Sequence, residues 1–429
     1  MNNFKKYPSY KDSDSPWFPS IPSHWEILPN RYIFDLKKSQ VGKKSNQYKL
    51  LSLTLNGIIE RDMENPSGKF PAEFDTYQEV IKGDFIFCLF DVEETPRTVG
   101  LSEFDGMITG AYTVFRNRLA QNAKYLYYFF LSLDEKKRLK PLYKGLRNTI
   151  SKENFYSFKT PLPPLQEQTT IANFLDKKTT EIKEFIALKE KTIELLKERK
   201  MAIINQAVTK GLDPTVEMKD SGIEWLGEIP KHWGYTKISS VSKKVSRKGI
   251  QNPVLLSVER EKGVILRSDS EGNHNIIPDD LSAYKLVQQG NLVINKMKTW
   301  QGSLGISSYT GVVSPAYIIL EINASFEIKY LHHLLRCKSY VNEYNRISYG
   351  VRPDQWDMHF EDFKQLPILL PTITEQKHII EHIEQKFQDI EITITEINKE
   401  IDIIKEFQQS LISEVVSGKV DVSTSATQL

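Results

Sequence analysis

The chain has 429 residues, 40% hydrophobic and 26% charged, with a formal net charge of +2. That balance supplies two domain-sized cores but no global electrostatic pull on nucleic acid, so any basic surface must be local. Cys88 and Cys337 are the only cysteines, which excludes a disulfide framework or a cysteine-based zinc site.

The first element is a lead segment rich in Trp and Pro, KDSDSPWFPSIPSHWEI from Lys11, and it returns as KDSGIEWLGEIPKHWGY from Lys219. Trp17 matches Trp225, and Trp25 matches Trp233 at an offset of 208 residues. The repeat continues through the chain, which makes it a whole-domain copy. Leu50-Leu51-Ser52-Leu53 returns as Leu255-Leu256-Ser257-Val258, and Tyr77–Asp84 as Tyr284–Asn291. Gly106 returns as Gly311, and Gly145-Leu146-Arg147 as Gly350-Val351-Arg352.

The bodies that follow these lead segments, 26–160 and 234–365, read as mixed α/β. Apolar or β-branched runs at Tyr48–Leu55, Phe85–Phe90, Leu292–Asn295 and Tyr317–Ile322 predict strands, and Lys124–Leu133 and Lys329–Lys338 predict short helices. The landmarks repeat while the residues between them differ.

Each copy then enters a long helix. In the second, Ile380, Ile383, Phe387, Ile390, Ile394, Ile397, Ile401 and Ile404 keep a three-four spacing that Leu411 and Val415 extend. Thr372 and Glu375 are spaced as a capping box, and Gly418 is placed to end the helix. In the first, the stripe is Ile171, Leu175, Ile182, Phe185, Ile193, Leu196, Ile203 and Ala207, interrupted at Lys178 and Lys189, with Pro164 near the first turn. Each helix of about 43 residues spans roughly 65 Å, more than a domain of this size needs, so the two stripes are expected to pack on each other. The alternative is that each helix packs only on its own domain. The expected order is a first domain at 1–162, a helix at 163–211, a linker and second lead segment at 212–233, a second domain at 234–370, a helix at 371–418 and a flexible tail at 419–429.

Catalytic patterns are sparse. His378-Ile379-Ile380-Glu381-His382 fits an H-x-x-E-H zinc pattern but falls at the start of the heptad seam with no third ligand nearby in sequence. Val41-Gly42-Lys43-Lys44-Ser45 lacks the earlier glycine of a phosphate loop. Leu162-Pro163-Pro164-Leu165 lacks the amide and aromatic residues that flank the prolines of an adenine-methylating motif.

The phrases PLPPLQEQTTIANFLDKKTTEI, DSGIEWLGEIPKHW, KMKTWQGSLGISSYTGVVSPAY and YGVRPDQWDMHFEDFKQLPILLPTITEQ, in this order, resemble the specificity subunit of a type I restriction-modification system. The resemblance spans essentially the whole chain. It implies an α/β tandem repeat in which two target-recognition domains are separated by two long helices forming an antiparallel coiled coil. It also implies a noncatalytic protein whose domains each read half of an asymmetric bipartite site in double-stranded DNA, with the helix pair fixing the gap. The implied partners are methyltransferase (modification) subunits and restriction (endonuclease/translocase) subunits. The chain itself would bind no cofactor; S-adenosylmethionine, ATP and Mg would sit on those partners. The competing functions are an enzyme with a metal or nuclease site inside the divergent bodies, and a scaffold that does not touch DNA.

Candidate DNA contacts follow from residue type. Lys243, Lys244, Arg247 and Lys248, with Lys43 and Lys44 in the first copy, either neutralise phosphates or belong to solvated loops. Lys296, Lys298, Trp300 and Gln301 follow a predicted strand and combine two cations, a ring and a bidentate amide. Arg97 is the lone cation of the matching first loop, Glu93–Thr98. Arg147 and Arg352 either hold phosphates or form structural ion pairs. Trp17, Trp25, Trp225 and Trp233 are read as packing or partner-docking groups. Gln168 and Gln376 are either docking residues or ordinary helix-start polarity. No run reaches the roughly 18 apolar residues of a membrane span, and MNNFKKYPSY lacks a signal segment, so the expectation is a cytoplasmic protein with no membrane partner.

Overall fold

Phe85, Ile86 and Phe87 are all buried, so this short apolar run has covered faces on both sides of its strand. It is a central strand of a four-stranded antiparallel sheet made of β1 (Phe34–Leu36), β2 (Phe85–Phe87), β3 (Val99–Leu101) and β4 (Thr113–Asn117), in the order β1-β4-β2-β3. Phe87 points toward Phe130 of helix α1 (Ala123–Glu135), at 5.2 Å between ring centroids, and toward Phe155 at 4.8 Å. Ile86 joins a second, smaller core with Leu51, Ile58, Val80, Ile108 and Val114.

The computed structural model describes residues 5–63, 73–118, 121–250, 253–270, 280–323, 326–350 and 356–423. The chain divides into two units, residues 1–189 with 399–429, and residues 190–398. The first contains α1 and the start of a long helix, α2 (Leu165–Lys210).

The second unit repeats the sheet with β5 (Ser242–Val245), β6 (Leu292–Asn295), β7 (Leu304–Ile306) and β8 (Tyr317–Ile322), in the order β5-β8-β6-β7. Helices α3 (Ile328–Arg336) and α4 (Lys338–Arg346) follow, and α5 (Ile373–Val416) is the second long helix. Leu292 and Ile294 share a core with Leu331, Leu334 and Leu335, while Val293 faces Leu256, Val258, Val264, Val287 and Val313. One framework is thus filled with aromatics in the first unit and mostly with aliphatics in the second.

The minor pairings also occur twice. Tyr10–Asp12 pairs Ser20–Pro22 as Met218–Asp220 pairs Glu228–Pro230, and Glu26–Pro29 pairs Lys159–Leu162 as Gly234–Lys237 pairs Pro367–Leu370. The repeated glycines have a steric reason. A Cβ on Gly106 would lie 2.5 Å from the Lys49 carbonyl oxygen, and one on Gly311 would lie 2.5 Å from that of Val254, so only glycine permits this backbone approach.

Both units draw on both long helices. In the first, Ile171, Ala172 and Leu175 of α2 share the core with Leu411, Ile412, Val415 and Val416 of α5, and Lys189 pairs with Glu400 at 2.5 Å. Numbers rise along one segment as they fall along the other, so the two segments run antiparallel. In the second unit, Ile204, Ala207 and Val208 share a core with Ile379, Ile380 and Ile383, and Lys200 pairs with Glu391 at 2.5 Å, the same sense. The units therefore differ from the sequential division expected from sequence, in which each helix is a segment of its own.

The α5 seam is buried at Ile380, Ile383, Ile390, Ile397, Ile401, Leu411 and Val415. In α2 the expected stripe shifts in places: Phe185 is 41% exposed while Ile186 is half-buried, and Ile204, rather than Ile203, is fully buried. The Thr372 hydroxyl accepts from the Glu375 amide at 3.2 Å, but the Glu375 carboxylate does not complete the capping box because it accepts from Trp233 instead. Residues 419–423 are not a loose tail, since Val420 and Val422 are buried and the Asp421 amide donates to the Lys5 carbonyl at 2.8 Å.

Candidate nucleic-acid interface

In the second unit the loop leaving β6 folds tightly on itself. Asn295 accepts from the Met297 amide through its side chain and from the Thr299 hydroxyl through its carbonyl, and Gly302 (φ 93°) ends the turn. Lys298 is left exposed, and Trp300 and Gln301 are half-buried. The Trp300 ring lies 5.2 Å from that of Trp356, and Lys296 forms a 2.7 Å ion pair with Asp357. Beside Asp357 in the Ser348–Tyr349 and Asp357–Met358 pairing, Tyr349 stacks on His359 at 4.0 Å with rings nearly parallel. Cations suited to phosphate thus sit beside aromatic faces and an amide suited to bases or sugars.

The matching loop of the first unit, Cys88–Thr98, has a different chemistry. Arg97 is not a free DNA contact: its side chain is 12% exposed, held 3.5 Å from Asp134 and 3.9 Å from Glu135. Asp134 is buried and also accepts from the Thr98 amide at 2.9 Å, the Thr98 hydroxyl at 2.6 Å and the Lys137 ammonium at 2.9 Å. Nearby acids and burial leave a mark: burial pushes the Glu135 carboxyl up, and burial with Glu93 pushes the Tyr143 phenol up to about 12. Arg147 is exposed on a turn and pairs with Asp91 at 3.1 Å.

The second unit holds its loop with the opposite charge. Arg336 of α3 donates to the carbonyls of Leu304 at 2.6 Å, Gly302 at 3.4 Å, Arg260 at 2.9 Å and Glu261 at 2.7 Å. A buried carboxylate collecting donors in one unit is replaced by a guanidinium collecting carbonyl acceptors in the other. Burial pushes this guanidinium down to about 10. His332, one turn earlier, accepts from the Ile306 amide at 3.3 Å, and burial lowers it to about 3.

Lys43 and Lys44 are exposed on a short 3-10 helix, Gly42–Gln47. Lys243 and Lys244 lie on β5, an edge strand rather than a loop, where lysines also discourage edge-to-edge pairing. Lys244 sits 4.9 Å from the Phe360 ring, and Arg247 pairs with Glu321 at 3.2 Å. Burial lowers Lys285, with help from the Lys244 and Lys248 charges, so these three cations are neighbours. Arg352 lies outside the described residues.

The four repeated tryptophans and the helix-start glutamines hold the units together from inside. Trp25 and Trp233 have no exposed surface, so neither is a docking face. Trp17 and Trp225 are half-buried against Phe158 and Tyr340, and the Trp17 indole N–H donates to the Arg138 carbonyl at 2.6 Å. Gln168 accepts from the Asn122 amide at 3.0 Å and donates to the Pro163 carbonyl at 2.8 Å; Gln376 does the same with Glu327 at 2.9 Å and Pro371 at 3.0 Å. Both amides are buried and fully engaged, which corrects the expectation that they meet a partner.

Sequence reasoning missed Trp356, Asp357, Tyr349 and His359. They stand in the phrase YGVRPDQWDMHF, whose aromatic density was the available signal, but only the fold brings them beside Lys296 and Trp300. Among the described residues no three His, Cys, Asp or Glu side chains gather as a metal site, and no helix is long and apolar enough to cross a membrane.

Residues 102–197 match the family model for the type I restriction modification DNA specificity domain. The chain is 27% identical over 291 residues to the type I restriction enzyme MjaVIII specificity subunit of Methanocaldococcus jannaschii, covering 64% of each chain. It is 22% identical over 436 residues to the putative MjaX specificity subunit of the same organism, covering 94% of this chain and 95% of that one. A 22% match to the EcoKI specificity subunit of Escherichia coli covers 64% of this chain and 60% of the relative. The matched stretch is therefore just under two thirds of the first and third relatives and nearly all of the second. A solved chain, from work on complex assembly and conformational transition of the type I R-M system, shares the fold with a TM-score of 0.59 at 12% identity, covering 93% of this chain and 99% of that one.

Proposed function

We propose, from its similarity to the type I restriction modification DNA specificity domain and to type I specificity subunits, that the chain is a noncatalytic reader of an asymmetric, bipartite site in double-stranded DNA. The observation that carries the reading is one framework built twice with unlike loops at the same place. The Lys296–Gln301 loop offers cations, a ring and an amide, while the Cys88–Thr98 loop carries Glu93 and Glu94 around a sequestered Arg97. Two such surfaces select two different base sequences, because hydrogen-bonding groups facing base edges set the choice. The long helices, continuous through 46 and 44 residues, set the number of unread base pairs between the half-sites.

In this reading the chemistry belongs to the partners. Modification subunits carrying S-adenosylmethionine methylate adenine at the sites this chain selects, and restriction subunits using ATP and Mg cut unmodified DNA. The exposed Lys43, Lys44, Lys243, Lys248 and Lys298 neutralise phosphates.

Salt-dependent binding of the chain, with its modification partner, to a bipartite duplex tests this reading. Replacing Lys43 or Lys298 by Ala reduces the slope of log affinity against log salt by about 0.9 for each lost phosphate contact, with sequence preference kept. A salt-independent or sequence-blind interaction contradicts the proposal.

A further inference from the structure

Leu146 is 104% exposed, the tip of a turn that has no slack. Lys144 and Thr149 close that turn by exchanging backbone hydrogen bonds at 2.9 and 3.1 Å, and the Asn148 amide donates to the Gly145 carbonyl at 3.3 Å. Gly145 (φ 71°) and Asn148 (φ 43°) take left-handed backbone to make the bend, an arrangement that suits glycine and asparagine. The turn is also tied sideways: the Asp91 amide donates to the Arg147 carbonyl at 2.8 Å, Arg147 pairs with Asp91 at 3.1 Å, and Asn148 donates to Glu94 at 3.4 Å. Isolated exposed leucines are ordinary on protein surfaces. This one differs because the backbone bonds on either side of it hold it out from the unit.

Two further features say what it meets. Cations stand on both sides, Lys144 and Arg147, each exposed. The turn is bonded to the loop after β2, so anything that loop reads is also in reach of the turn. The sequence repeats the arrangement, with Val351 between Gly350 and Arg352 in the second copy, although Val351 and Arg352 lie outside the described residues. An apolar tip between cations is the composition of a wedge that enters duplex DNA: the cations hold phosphates while the side chain slips between base pairs and opens a step.

Resting on the DNA-reading function above, we propose that Leu146 is such a wedge, inserted at one base step within the half-site read by the first unit. Recognition by this unit then includes the ease with which that step unstacks, a preference for flexible pyrimidine–purine steps that no hydrogen bond expresses. The neighbouring acids Asp91, Glu93 and Glu94 fit a tip that faces bases rather than the phosphate backbone, because carboxylates accept from cytosine amino groups.

The test uses the full chain with its modification partner and duplexes carrying the recognised site, with 2-aminopurine placed in turn at each position of both half-sites. Apart from the target adenines that the modification subunits extrude, fluorescence should rise at one step of one half-site on binding, and Leu146→Ala should abolish that rise and weaken binding at least about tenfold, the value of burying one leucine side chain. Leu146→Met should retain both. Because Leu146 is fully exposed, the thermal midpoint of the Ala variant should equal that of the parent. Selective binding with no change at any step beyond those target adenines, or an Ala variant with the parent's signal and affinity, overturns the wedge alone. A parent chain that shows no sequence-selective binding overturns the DNA-reading function and the wedge with it.

Discussion

The indole N–H of Trp25 donates to the Glu167 carboxylate at 2.9 Å, across 142 residues of sequence. Tyr7 donates to the same oxygen at 2.7 Å, and His24 meets the other oxygen at 2.8 Å. The second copy repeats the bond, with Trp233 donating to Glu375 at 2.9 Å. Each fully buried tryptophan is thereby fastened to the first turn of the long helix that follows its own domain, where a carboxylate also complements the helix dipole. Glu167→Ala leaves a buried indole N–H without a partner and should destabilise the first unit by about 1–3 kcal/mol, read as a lower denaturant midpoint. A midpoint unchanged in both Glu167→Ala and Glu375→Ala would show that these bonds contribute nothing.

Periodicity and repetition made much of this fold legible in sequence. The α5 seam follows its three-four spacing because Ile recurs at that spacing along most of the helix, although Ile379, Ile412 and Val416 beside it are buried as well. In α2 the pairs Phe185-Ile186 and Ile203-Ile204 are adjacent apolar residues, and spacing alone cannot say which turns inward; the packing selected Ile186 and Ile204. Phe85-Ile86-Phe87 read correctly as a strand because both of its faces are covered. The site was less legible. Arg97 is a plausible phosphate contact until Asp134, on a helix 37 residues away, is seen to hold it. The glutamines looked exposed because they begin a helix, yet each enters the fold to pin a loop amide. Such long-range pairings leave no local trace.

The two units should differ in acid. Burial, with the Arg336 charge beside them, lowers His332 to about 3 and His333 to about 4, whereas an unfolded chain protonates both near 6.5. Between pH 6.5 and 4 the unfolded state therefore holds more protons. Stability of the second unit falls as pH falls through that window, by up to about 1.4 kcal/mol per pH unit for each histidine. The corresponding first-unit residues are Tyr127 and Tyr128. Hydrogen exchange at pH 7 and pH 5 should show amides in 292–306 and 328–336 losing more protection than those in 85–101 and 123–135. Equal loss in the two units contradicts the assignment.

The opposite clasps give a unit-specific prediction. Asp134→Ala frees the loop ending at Thr98, and Arg336→Met frees the one ending at Ser303. Each substitution should weaken binding to duplexes through one half-site only, by about 10- to 100-fold, the scale of losing a few buried hydrogen bonds to a charged group. Binding measured on duplexes altered in either half-site checks this. If either variant loosens discrimination at both half-sites, the loops are not independent readers.

The helices make a separate prediction about spacing. Inserting four residues into α2 and four at a matching place in α5 adds about 6 Å to each, nearly two base-pair rises. The preferred gap should lengthen by one or two base pairs while both half-site sequences stay the same. An unchanged gap would mean that the helices do not set it.

Methylome sequencing of the source organism with and without this gene tests the central claim most directly. The account predicts one bipartite, asymmetric motif methylated on adenine in both half-sites when the gene is present and unmethylated when it is deleted. An identical methylation pattern in the two strains, with the modification partner expressed in both, would contradict it.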